Sequence, residues 1–371
     1  MPKIISVHSC RHGTGKSNLT ANLAVSISQQ GYRVGIIDLD IQSPGIHTLF
    51  GLDHEHLDQE LNYYLWGNIS IDGVTQSNSP LLRYEPGRVA VMGGEIRLPP
   101  CSIKINDIAQ LLQTGYDVDI LSQSFFELIK RLKLDYLLID THPVLNEETL
   151  FSIAISDVLV LVSSLDSQDF QGLAVTIDIA DRLDIPKILL VANQILSRLK
   201  AEDVKQQLEE TYGETVAGVL PFVEEMLLLA SSDIFCLRYP DHALTMGIKT
   251  IAQQLVGLEA TLEPRERSIT TDWLKSSILQ PSHAVKKSGL SMADILMLPD
   301  EQRHLISWMM RQGSATLTEA VAYTNEAEVD IKSTLGTLIE KGFVQQIIVS
   351  NETRYQICLA PKRGSRFAQE L

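Results

Sequence analysis

The chain has 371 residues, 44% of them apolar, which is too long for one small domain and enough for a large core with a smaller second unit. Its formal charge of -15 excludes coating DNA or an anionic membrane by bulk charge, so any such contact must be local. Four widely separated cysteines without a C-x-x-C pair suggest neither a disulfide framework nor a zinc site. With no signal-peptide pattern and no run near the roughly 18 residues a membrane span needs, they predict a cytoplasmic protein.

Short, continuously apolar runs recur in chain order at Ile4–His8, Val34–Leu39, Arg88–Met92, Tyr136–Asp140, Val158–Ser163, Lys187–Asn193 and Ala217–Leu220, with helical stretches between them. Runs without alternation read as strands buried on both faces, so the first 262 residues are expected to form an α/β unit with a mostly parallel, helix-covered sheet. A polar stretch with two prolines follows, and residues 263–292 are assigned to a linker. From 293 to 371 the pattern predicts helices at Glu301–Gln312, Leu317–Tyr323 and Glu326–Lys341, then two strands around Ser350–Thr353. That order suggests a small α+β winged helix-turn-helix.

Between the first strand and the helical stretch SNLTANLAVSISQQ lies HSCRHGTGK. A strand–loop–helix junction suits an anion, because unpaired amides and the positive end of the helix dipole face it. Gly13 and Gly15 let the backbone approach phosphates, Lys16 can reach the β/γ oxygens, and the Ser17 hydroxyl is placed for Mg²⁺. Cys10 stands where the strict G-x-x-x-x-G-K-[ST] pattern has its first glycine, which leaves room for a bland alternative: a glycine turn with an incidental lysine. Downstream, VGIIDLD sets Asp38 and Asp40 on one face at a strand end, where they either serve a γ-phosphate or cap the next helix. LDYLLIDTHP has the form of a Walker B strand, ending in Asp140, which would hold Mg²⁺ through a water.

These three stretches resemble the MinD/ParA family of deviant Walker ATPases, whose loop reads K-G-G-x-G-K-[ST]. Arg11 then takes the place of the signature lysine, which in the family reaches across a nucleotide-sandwich dimer, and His12 takes the place of a glycine. Arginine keeps the charge but changes the geometry, and a solvated surface arginine is the plain alternative. A side chain at position 12 clashes if the backbone there needs positive φ. The resemblance implies a P-loop NTPase fold that binds ATP or ADP with Mg²⁺ through Arg11, His12, Gly13, Thr14, Gly15, Lys16, Ser17 and Asn18. Asn193 and Pro221 would stand at the adenine. It implies metal-side roles for Ser17, Asp38, Asp40 and Asp140, and catalytic roles for Arg11, Lys16 and Asp40, with Asp40 orienting the attacking water. A glycine often stands near Val144 in the family, and its amide senses the γ-phosphate; valine keeps the N–H but restricts the backbone. The stretch SLDSQDFQG, 164–172, matches a loop at the dimer interface.

Residues 301–371 hold eight acidic and eight basic side chains, and the helix from Glu326 carries four acids against two lysines. Charge therefore does not favour DNA binding by this unit, since phosphate contacts supply most non-specific affinity; protein contact is the stronger expectation. The terminal APKRGSRFAQEL has no apolar face for membrane attachment. Three readings follow. One is a slow ATPase that forms a homodimer with ATP and positions or regulates a cargo or activating partner. The others are an ATP-sensing transcriptional regulator that reads DNA through the winged helix, and an ATP-binding scaffold with little hydrolysis.

Overall fold

The computed structural model describes residues 2–40, 44–51, 94–98, 118–229, 232–258, 289–349 and 352–360. Seven parallel strands form one sheet: β1 (Lys3–His8), β2 (Arg33–Asp38), β3 (Glu95–Arg97), β4 (Tyr136–Asp140), β5 (Val158–Ser163), β6 (Lys187–Ile195) and β7 (Thr215–Pro221), in the order β3-β2-β4-β1-β5-β6-β7. β4 and β5 are buried at every position, which is why their sequences run apolar without alternation. Six of the seven expected strands are present; the expected strand Arg88–Met92 lies outside the described residues.

Helices cover both faces. α1 (Lys16–Ser28), α2 (Ile46–Leu49), α3 (Val118–Leu132), α4 (Glu147–Ala154), α5 (Ser167–Arg182), α6 (Ala201–Tyr212), α7 (Glu224–Leu228), α8 (Phe235–Arg238) and α9 (Ala243–Gly257) complete the α/β unit. One apolar cluster joins α1, α8 and α9 to the sheet, and a second joins the opposite face to α3, α4 and α5. β1 is central, between β4 and β5: the chain runs from it to β2 and β3 on one side, returns to β4, and crosses over to β5 on the other. Ligands of open parallel sheets bind at such a point, beyond the strands' carboxyl ends.

The C-terminal unit contains α10 (Met292–Leu296), α11 (Asp300–Gln312), α12 (Leu317–Thr324) and α13 (Glu328–Glu340), followed by the antiparallel hairpin β8 (Val344–Val349) and β9 (Glu352–Ile357). Ser291 and Thr316 each close a capping box, with Asp294 and Glu319, which fixes where α10 and α12 begin. α13 starts two residues later than expected because Asn325 turns left-handed and Ala327 takes the cap position. Leu305, Ile306 and Met309 share one apolar cluster with Phe151 and Ile185, so this unit packs against the sheet's helical layer through α4. Polar ties reinforce the junction. The Met292 amide donates to Glu147 at 2.6 Å, His304 Nδ1 lies 2.6 Å from Asp184, and Arg311 donates to the Leu183 carbonyl at 3.1 Å. No helix among the described residues is long and apolar enough to cross a membrane.

Candidate nucleotide site

The loop after β1 opens a cavity of about 440 Å³ at the carboxyl edge of the sheet. Arg11, His12, Gly13, Thr14, Gly15, Lys16, Ser17, Asn18, Asp40, Asn193 and Pro221 all line it, bringing together stretches more than 200 residues apart in sequence. Asp38 and Asp140 stand behind this lining.

The loop's shape follows from its glycines. Gly13 and Gly15 have φ of 83° and 82°, which only glycine adopts without strain. A Cβ on Gly15 would also stand 2.5 Å from Asn193 Nδ2. His12 is not among the residues with positive φ, so a side chain at that position costs the backbone nothing; the unusual conformation falls on Gly13 instead. Cys10 is accommodated from outside the loop. Its Sγ lies 3.5 Å from Thr176 Oγ1, and a Cβ on Gly172 of α5 would meet Cys10 Cβ at 2.5 Å. The side chain gained at position 10 fills the space that a glycine leaves open on the facing helix.

Asp140 is fully buried and holds three donors: Lys16 Nζ at 2.7 Å, Ser17 Oγ at 2.7 Å and Thr20 Oγ1 at 3.1 Å. A buried carboxylate is tolerated only when neutralised and hydrogen-bonded in this way. Thr20, one turn beyond Lys16 on α1, escaped sequence reading, although its i+4 spacing places it on the same face.

The two strand-end aspartates divide the alternatives between them. Asp38 accepts from the amides of Asp40 at 3.0 Å, Gly45 at 2.9 Å and Ile46 at 3.2 Å, and so shapes the start of α2. Burial, with Asp140 nearby, pushes its pKa up to about 7. Asp40 faces the cavity, and its Oδ1 is buried without a hydrogen-bond partner, an arrangement that suits a group meant to receive a ligand.

Arg11 sits at the rim, 2.9 Å from Asp166 and 3.7 Å from Asp169, so the entry to α5 and its first turn hold it on its own chain. The hydrogen bond to Asp166 raises its pKa above the ordinary value. Leu165, just before this acid, has φ of 62°, and Gln194, beside Asn193, has φ of 60°. Both are uncommon for residues with a side chain, and they flank the loop. Asn193 Nδ2 donates to the Thr14 carbonyl at 2.8 Å and Gln194 Nε2 to the Gly13 carbonyl at 2.9 Å, a pair of straps of which only Asn193 was expected.

His8 was also missed. It ends β1 in full burial, with Nδ1 2.8 Å from Thr141 Oγ1 and Nε2 unpartnered. Burial, then the Lys16 charge, pushes its pKa down to about 3.

Among the described residues no cluster of three or more His, Cys, Asp or Glu could enclose a metal. The oxygens of Ser17 and Asp140, with Asp40 Oδ1 unpartnered, instead fit Mg²⁺, which takes few protein ligands and completes its shell with water and phosphate.

The family model for ParA, described as the NUBPL iron-transfer P-loop NTPase, matches residues 1–91. The cell-division protein MinD of Pyrococcus horikoshii, solved with Mg-ADP, superposes with a TM-score of 0.54 at 17% identity, over 69% of this chain and 97% of that one, a likeness of fold. The α/β unit has the fold of the MinD/ParA P-loop NTPases. Two further relatives span most of their length within this chain. An uncharacterized ATP-binding protein of Methanocaldococcus jannaschii is 24% identical over 73% of this chain and 95% of its own. The flagellum site-determining protein YlxH of Helicobacter pylori is 24% identical over 74% of this chain and 87% of its own. Within that fold the departures at Cys10, Arg11 and His12 from the loop pattern are local changes, each with a structural counterpart nearby.

Proposed function

We propose that this chain is an ATP-dependent dimerisation switch: an ATPase of the MinD/ParA type that binds Mg-ATP, pairs with a second copy and positions or regulates a partner. The observation that carries this reading is the convergence on one cavity of the parts that phosphoryl transfer needs. Gly13 and Gly15 form an amide cradle, Lys16 and Ser17 lie at the helix start, and Asp40 holds an unpartnered carboxylate oxygen. Lys16, now on Asp140, would be free to turn toward the phosphates, and Ser17 with Asp140 would hold Mg²⁺, which when bound supplies charge against the phosphate oxygens. Asp40 orients the attacking water.

Arg11 supplies its charge to the partner subunit's phosphates after leaving Asp166 and Asp169. Exposed Val144, Phe222 and Leu227 around the mouth support a face built to be covered. Turnover is slow without a partner, because the charge of Arg11 reaches the phosphates only when a second copy is in place. The iron transfer named in the family description is not carried over. Fe–S clusters need several thiolates close together, and the sequence has no C-x-x-C pair, with Cys10, Cys236 and Cys358 far apart along the chain. In the C-terminal unit the residues left exposed on α13 and the hairpin include Val329, Ile348 and Val349, which favours a protein contact over a phosphate backbone.

The test combines turnover and size. Lys16→Ala should abolish ATP hydrolysis, and Asp40→Ala should trap an ATP-bound dimer that ADP does not produce. Hydrolysis surviving Lys16→Ala, or a hydrodynamic mass independent of nucleotide in both wild type and Asp40→Ala, would overturn the reading.

A further inference from the structure

The loop after β4 carries an imidazole that the switch reading leaves without a task. The Val144 amide, the group expected to sense a γ-phosphate, donates at 3.1 Å to Nδ1 of His142. With Nδ1 accepting, the ring proton is on Nε2. That Nε2 stands 3.7 Å from Asp40 Oδ1, the buried oxygen that has no hydrogen-bond partner. The spacing is too long for a hydrogen bond, so Asp40 does not take up that N–H. The ring also packs edge-on against His12, with centroids 5.6 Å apart, and His12 and Asp40 both line the cavity. Its backbone is anchored separately, because the His142 carbonyl accepts from Thr149 Oγ1 on α4 at 3.2 Å.

We propose that the Nε2–H of His142, held in place by the Val144 amide and set 3.7 Å from Asp40, which lines the cavity, is the donor that distinguishes a nucleoside triphosphate from a diphosphate. The inference rests on the nucleotide site proposed above and assigns its specificity. A ring donor takes over from the loop amide, whose hydrogen is already engaged. It also explains why Val144 is tolerated where the family often has glycine: the position no longer has to bring its own amide to the phosphate.

The test measures affinity rather than turnover. The full-length wild type, His142→Ala, His142→Asn and His142→Gln are titrated calorimetrically with a non-hydrolysable ATP analogue and with ADP, both with Mg²⁺. Asparagine retains an acceptor near the Nδ1 position but has no donor at the Nε2 position; glutamine extends an N–H to it. The expected result is a loss of triphosphate affinity on the order of tenfold in the alanine and asparagine variants, the worth of one hydrogen bond to a charged group. ADP affinity should stay within about twofold and glutamine should restore most of the preference, because the diphosphate leaves the donor without a partner in either case.

An unchanged triphosphate-to-diphosphate ratio in the alanine and asparagine variants overturns the inference, as does a glutamine variant that falls with asparagine. Both amide variants are matched in polarity, so a shared loss of stability, followed by thermal melting, leaves their difference readable. If wild type binds neither nucleotide, the nucleotide-site reading itself fails. If it binds both and the ratio never moves, only the role of His142 is lost.

Discussion

The cavity beyond β1 and the junction between α4 and the C-terminal unit are built on opposite plans. Around the cavity, charged groups are brought together with capacity left over. Asp40 Oδ1, Asp169 Oδ1 and His8 Nε2 are buried without hydrogen-bond partners, and Leu165 and Gln194 hold positive φ. At the junction, Gln302 Oε1, Arg303 Nε and Ser307 Oγ of α11 are also buried without partners, but they do not line the nucleotide cavity. Apolar packing of α11 against the helical layer dominates the junction, with cross-connections from Glu147, Asp184 and Arg311. A binding face keeps unused valency at a cost in stability, whereas a packed face recovers stability and fixes one geometry. The difference separates variants that move activity from variants that move folding.

The largest expected effect breaks the packed side. Ile306, fully buried in α11, shares the cluster with the helical layer, and Ile306→Ala should cost about 2–5 kcal/mol of unfolding free energy. Nucleotide affinity at a temperature where the variant stays folded should be unchanged. Denaturant melts and nucleotide titration check the pair, and equal loss on both axes would mean that the two regions are one cooperative element. On the cavity side the pattern inverts. Asp40→Ala should lower turnover by about 10²–10³-fold, the usual loss for one preorganised electrostatic group. Its melting temperature should hold or rise, because a buried, unpartnered carboxylate oxygen is removed.

A smaller effect tests the fit between loop and helix. Gly172→Ala forces a Cβ to within 2.5 Å of Cys10 Cβ, an overpacking that costs about 1–3 kcal/mol, and the double variant with Cys10→Gly should recover most of it. Failure of the second substitution to rescue the first in a double-mutant cycle would show that position 10 and α5 are not complementary.

That pairing also marks the limit of sequence reading. The strands were legible because β4 and β5 are buried on both faces and therefore run apolar without a break. α12 was legible because Thr316 and Glu319 form a capping box at its start. Cys10 was visible as a departure from the loop pattern, but nothing local points to Gly172, 162 positions on, whose missing side chain makes the room. The same holds for Gln194, whose strap to Gly13 depends on how β6 ends, and for the docking of α10, whose partner Glu147 is 145 residues earlier. His8 could be seen only as the last residue of an apolar strand, a position that does not announce full burial beside Lys16.

At neutral pH the smallest effect belongs to that histidine, and it grows only on acidification. In the unfolded chain His8 takes up a proton below its ordinary value of 6.5, whereas in the fold burial and Lys16 delay uptake to about 3. The unfolded state thus binds more protons across this window, so stability rises with pH there and is lost as pH falls from about 6.5 toward 3. Asp38 acts in the other direction. It keeps its proton in the fold up to about 7 while the unfolded chain releases it near 3.8, so its contribution falls as pH rises between those values. The two slopes overlap, and the wild-type curve alone cannot separate them. His8→Asn keeps a donor for Thr141 and removes the titration, so denaturation of the nucleotide-free protein from pH 7.5 down to about 4.5 isolates the histidine. Wild type should lose stability relative to the variant steadily below about pH 6.5 and not above it. Parallel curves across the whole range would mean that water reaches His8 and that the floor of the nucleotide loop is less dry than the packing around β1 implies.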